Sequence, residues 1–215
     1  ERDVTIEFKG GRESLHGTLM RAIDSIEGET ISLRTLLILV GEHGLLVLCA
    51  LLTLPFLIPV SIPGVSTVFG AAIILISVGI TTNRMPWLPD RIMDRQLDAR
   101  KLSGILRRGA QIVQRIEAYI HPRMQWLTES GLPARVNGLA LIFAGLLLMA
   151  PLGLVPFSNT LPALAILLLA AGMSQRDGAL VIAGYGMILA TLVYFGILAW
   201  LAFAAGMGLA GFFGG

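Results

Sequence analysis

One cysteine, three histidines and 14% charged residues are all the reactive and ionic chemistry that this 215-residue chain carries. The lone Cys49 excludes a disulfide scaffold and any multi-cysteine metal site. A soluble domain of this size holds about 25% charged residues. Here 55% of the residues are apolar and mean hydropathy is +0.78. That balance excludes a water-soluble enzyme, a disordered tail and a nucleic-acid binder. Catalytic signatures are missing as well. There is no HExxH, no Walker A loop, no Gly-x-Ser-x-Gly elbow and no pair of carboxylates within an apolar run. The sequence therefore predicts no catalytic residue, no metal ligand set and no cofactor.

What charge there is falls in blocks. Residues 1–42 carry five Lys/Arg against eight Asp/Glu, and residues 84–135 carry ten against five, a net of +5. Between and after them, 43–83, 136–175 and 178–215 hold no Asp, Glu, Lys or Arg, with Arg176-Asp177 the one interruption. A charge at the bilayer centre costs at least ~2.5–3.5 kcal/mol, so charge-free runs of this length are what hydrocarbon selects. The expected fold is an all-α integral membrane protein whose first partner is the lipid bilayer. The first apolar run opens some 35 residues in, and no cleavable amino-terminal signal is expected.

Five segments follow. Residues 1–43 read as amphipathic cytoplasmic helices: Leu15, Leu19, Ile23 and Ile26 share a face, Ser14 is placed to cap, Gly28 to stop, and Ser32 to cap a second helix from Leu33 to Val40. Residues 44–83 read as a helical hairpin broken at Pro59, Pro63 and Gly64, since proline removes a donor and clashes with the preceding turn. Its arms are about 22 and 27 Å long, against a hydrocarbon core of roughly 30 Å, which leaves spanning and re-entrant forms both open. Residues 84–135 form a basic amphipathic linker, cytoplasmic by the positive-inside rule, with Trp87 and Trp126 suited to the interface. Residues 136–177 form a second hairpin, broken at Pro156. Residues 178–215 supply one longer closing helix and a glycine-rich tail expected to fray beyond Ala204.

The second hairpin repeats the first. At an offset of 93 residues, Ile62-Pro63-Gly64-Val65-Ser66-Thr67 falls on Val155-Pro156-Phe157-Ser158-Asn159-Thr160, Ala72-Ile73-Ile74-Leu75 on Ala165-Ile166-Leu167-Leu168, and Gly79 on Gly172. With no apolar crossing in the linker, the repeats are expected to be parallel, placing Pro63 and Pro156 at equal depth. The polar residues after each break, Ser66, Thr67, Ser158, Asn159 and Thr160, admit two readings. They cap helix starts, or they build a ligand or ion site from two helix N-termini. Glu42, His43, Arg84, Arg123, Arg176 and Asp177 are placed as interfacial charges. Gly184, Gly186 and Ala190, with Ala202, Ala204, Gly206 and Gly208, give small faces for a neighbouring helix or a homodimer.

Gly41-Glu42-His43-Gly44, the break through Ser66-Thr67, Arg84 with Pro86-Trp87-Leu88-Pro89, His121-Pro122-Arg123, and Asn159-Thr160-Leu161-Pro162-Ala163 through Arg176-Asp177-Gly178 together resemble the bacterial exopolysaccharide-synthesis ExoD family. Where a Gly-Glu-Arg-Gly form is expected, this chain has His43. The resemblance implies a multi-pass inner-membrane protein tied to exopolysaccharide production and to growth at alkaline pH, with polysaccharide-assembly machinery as partner and no established catalysis. Two function readings follow: a non-catalytic accessory of polysaccharide synthesis or export, and a small transporter of ions or lipid-linked intermediates.

Overall fold

The computed structural model describes residues 20, 23–24, 30–57, 64–82, 94, 96–100, 103–104, 107, 111, 114, 123–150, 152 and 155–213. Five long helices dominate: α1 Leu33–Thr53, α2 Val65–Thr82, α3 Leu132–Leu148, α4 Thr160–Gln175 and α5 Gly178–Phe213. The Ser14 cap, Gly28, Pro59, Pro63, Arg84, Trp87 and most of the expected linker helix lie outside the described residues. One element departs from the all-α expectation. Thr30–Ser32 (β1) pairs antiparallel with Gln96–Asp98 (β2), tying the segment before α1 to the charged linker. No alternating pattern foretells two three-residue strands. They exist because two extended segments meet at one end of the bundle.

α1 starts where Ser32 caps it, its hydroxyl accepting from the Thr35 N–H at 3.2 Å. The helix is kinked at Gly41, whose φ of 62° and ψ of −157° belong to a region open almost only to glycine. Beyond the kink the apolar arm Gly44–Thr53 runs into a 3-10 turn, Leu54–Phe56. α1 and α2 lie antiparallel: the Cys49 thiol reaches Ser77, and Phe56 meets Phe69 edge-on at 5.6 Å. Cys49 is fully buried and packs in the core.

Missing side chains set the closest helix approaches. A Cβ on Gly70 would lie 2.5 Å from Met149 and 3.2 Å from the Gly145 carbonyl, and one on Gly138 would collide with Thr81. α2 and α3 therefore run antiparallel in backbone contact. α4 and α5 form a tight antiparallel hairpin. A Cβ on Gly172 would lie 2.8 Å from the Val181 backbone N, and one on Gly184 2.7 Å from the Leu169 side chain. Arg176 takes the left-handed conformation (φ 54°), and the Asp177 N–H bonds the Gly172 carbonyl at 2.9 Å, closing α4 in a Schellman arrangement. Asp177 Oδ1 then accepts from the Ala179 N–H at 2.9 Å and starts α5.

α4 occupies the centre. It packs against α1, α3 and α5, α1 also packs on α2, and α2 on α3. No α4 residue is exposed. Helices α1 to α4 thus make a closed ring, with α5 laid on α4 from outside. The core gathers Leu45, Leu46, Ile73, Leu141, Leu148, Ile166 and Leu169, all nearly or fully buried. Three buried hydroxyls are satisfied within their own helices, Ser77 donating to Ile73 O, Thr53 to Ala50 O and Thr191 to Met187 O, each at 2.7 Å, while the buried Ser174 hydroxyl has no partner. Val65–Thr82 and Gly178–Gly206 are long and apolar enough to cross a membrane. α5 continues as helix to Phe213 instead of fraying past Ala204. Its scattered glycines each cost only about 1 kcal/mol of helix propensity, which an apolar run tolerates.

Candidate functional sites at the two ends of the bundle

The antiparallel pairings sort the polar residues by end. At one end lie the C-terminus of α2, the N-terminus of α3 and the α4–α5 turn. The Gly178 N–H donates to the Arg123 carbonyl at 2.7 Å, and Asn137 Nδ2 donates to the Leu127 carbonyl at 2.7 Å. Here the charges collect. Glu42 on α1 feels the Arg176 guanidinium, Asp177 is buried in its capping bond, and Arg123 is exposed beside the Gln125–Leu127 turn. Glu42 and His43 are half-buried and immediately precede the apolar arm of α1. Five of the six residues placed as interfacial charges are described, and the contacts gather Glu42, Arg123, Arg176 and Asp177 at this end.

At the opposite end lie the two breaks. Gly64 (φ 86°) leads into α2, and Pro156-Phe157, with Phe157 at φ 63°, leads into α4. The Tyr194 hydroxyl on α5 donates to the Pro156 carbonyl at 2.6 Å and holds the second break against the closing helix. Ser158 does not cap α4. Its hydroxyl turns back within hydrogen-bonding distance of the Leu152 and Val155 carbonyls, at 2.9 and 2.8 Å, and staples the break. Asn159 holds the N-cap position without a side-chain cap bond, and its Nδ2 is buried without a partner. The Leu161 N–H bonds Phe157 O, Ala163 N–H bonds Asn159 O, and Pro162 has no N–H. Three of the first four positions of α4 thus have no N–H to offer an anion. Ser66 is buried within the first turn of α2, Thr67 is exposed and Thr160 half-buried. α2 and α4 share no extensive contact, so the two polar sets sit at one end without merging into one site.

Sequence reasoning missed Asn137. It is buried at the start of α3 and bridges two elements, its Nδ2 on Leu127 O and its Oδ1 accepting from the Tyr185 hydroxyl at 2.8 Å. The signal was present: an amide inside an otherwise apolar run. Among the described residues, no group of three or more His, Cys, Asp or Glu could hold a metal ion.

With this geometry in view, comparison with known proteins identifies the family. The family model described as "Exopolysaccharide synthesis, ExoD" matches residues 15–197. The chain belongs to the ExoD family. It is 59% identical over 210 residues to Protein ExoD of Rhizobium meliloti, covering 98% of this chain and 88% of that protein. It is 31% identical over 167 residues to an uncharacterized protein of Synechocystis sp., covering 77% of this chain and 76% of that one. No solved structure matches the chain. The ExoD match takes in both bundle ends and the first half of α5.

Proposed function

We propose that this ExoD-family chain is a multi-pass protein of the bacterial inner membrane that serves exopolysaccharide synthesis or export as a non-catalytic accessory. The observation that carries the pathway is the family match over residues 15–197. The membrane placement rests on the outward faces of the bundle. Leu51 on α1, Val68 on α2, Leu139 and Leu146 on α3, and Leu189 and Trp200 on α5 are all more than half exposed. Water-soluble monomers rarely expose contiguous apolar patches beyond a few hundred Å². A helix apolar on every side belongs either in a core or in lipid. Here every side of the ring is apolar and the charges keep to one end, which suits the basic end to the cytoplasm.

The two hairpins read as a parallel duplication. α2 and α4 run the same way, and both breaks lie at the uncharged end. Gly64 and Phe157, equivalent at the 93-residue offset, both have positive φ. The ring of contacts has the matching form: α1 packs on α4 as α3 packs on α2. The accessory reading takes its support from the family description and from the absence of a named acid–base or nucleophilic set in the sequence. At the second break Ser158 and the Leu161 and Ala163 N–H groups are already engaged, and the buried Asn159 Nδ2 alone is too little to favour the transporter reading. The test is a deletion strain assayed for the amount and chain length of secreted polysaccharide. The expected result is a change in either, restored by the parent gene. Unchanged polysaccharide overturns the proposal.

A further inference from the structure

The turn between Arg123 and Arg135 joins charge and exposed apolar surface at one place. Met124 and Trp126 are turned outward, Trp126 with 60% of its surface free, and Leu132 at the start of α3 is 76% exposed. Arg123 and Arg135, both exposed, flank them, and Glu129 is the acid on the same turn. The turn is anchored. Asn137 holds the Leu127 carbonyl at 2.7 Å, and the Arg123 carbonyl accepts from Gly178 at 2.7 Å. From Leu132 an exposed apolar stripe continues down α3 through Val136 and Leu139 at helical spacing.

We infer that this turn is a docking surface for an anionic phospholipid. Arg123 and Arg135 meet the phosphate, Trp126 lies at headgroup level, and the acyl chains follow the α3 stripe. Charge complementarity fixes the sign of the ligand, and the exposed stripe running from Leu132 down α3, the length of an acyl chain, favours a lipid. A basic side chain at an anionic membrane surface gains about fivefold in binding. An arginine fits phosphate better than a lysine because its planar donors bind in a fork.

The inference rests on the membrane placement above, and its test separates the two. The intact chain is inserted in nanodiscs of phosphatidylcholine, with and without phosphatidylglycerol, and its thermal midpoint is measured. Phosphatidylglycerol is expected to raise the midpoint, and added salt to shrink the rise. The R123Q/R135Q variant, with the parent's midpoint in phosphatidylcholine, is expected to lose the rise. A variant that keeps the whole rise overturns the site. So does an equal rise from inorganic phosphate, which marks a free-anion site, or a rise that follows self-association of the chain. A chain that alkaline carbonate strips from the nanodiscs overturns the membrane placement itself.

Discussion

Glycine carries two different loads in this chain, and the contrast is testable residue by residue. At Gly172 a Cβ would meet backbone on two sides, Val181 N at 2.8 Å and Asp177 O at 2.9 Å, and neither can step aside without opening the α4–α5 turn. Gly186 has nothing within 4 Å of the same probe. Gly172→Ala is expected to cost about 1–3 kcal/mol through overpacking. Gly186→Ala is expected to be neutral or to gain up to ~1 kcal/mol of helix propensity. Equilibrium unfolding of both variants in mild detergent checks the pair, and equal effects would show that helix approach is not what Gly172 serves. At the breaks, Gly64 has open space around it, so its φ of 86° and not crowding is what demands glycine.

Between helices the joints are small-residue contacts and a few buried polar bonds. Asn137 is the polar joint at the charged end, receiving the Tyr185 hydroxyl and holding the Leu127 carbonyl. Tyr185→Phe removes one donor and leaves Asn137 Oδ1 unpaired at a buried site. That is expected to cost about 1–3 kcal/mol, read as a lower unfolding midpoint. Asn137→Ala breaks both bonds and is expected to cost more. The sequence announced the helices these joints connect, because charge-free runs and proline breaks are local properties. It did not announce the joints. Asn137 and Tyr185 lie 48 positions apart, and only the fold brings them together. Ser158 shows the reverse. Its position invited a capping role, but the left-handed Phe157 swings the hydroxyl back onto Leu152 and Val155. The Ser32 cap on α1 was legible in full, since the cap depends on four consecutive residues, 32–35, and nothing distant.

For the molecule as a whole, one end carries the charge and the other carries both breaks. Four helices of at most 21 residues are closed by one of 36. If the bundle stands in the membrane as proposed, a cysteine at Phe157, which is half exposed, reacts with an impermeant thiol reagent only from the periplasm. A cysteine at Trp126 then reacts only once the cytoplasmic face is opened. Native Cys49 is fully buried and stays silent. Labelling of both positions from the same side would refute the topology, and protection of position 157 from both sides would show that the second hairpin turns within the bilayer.

Chemistry that needs no partner was written in the sequence. The two helices apolar enough to cross a membrane, the Ser32 cap and the family all follow from composition and from motifs read along the chain. Hydrocarbon excludes charge wherever it falls, and proline breaks a helix whatever surrounds it. The tertiary structure alone decided that α4 is the central helix, that α1 meets α4 while α3 meets α2, and that Thr30–Ser32 pairs with Gln96–Asp98. It also decided which polar groups at the breaks were already engaged. The outward faces and the core are equally apolar here, so hydropathy cannot tell them apart. Which helices touch is settled by where glycine lets backbones close and where one amide finds its hydroxyl.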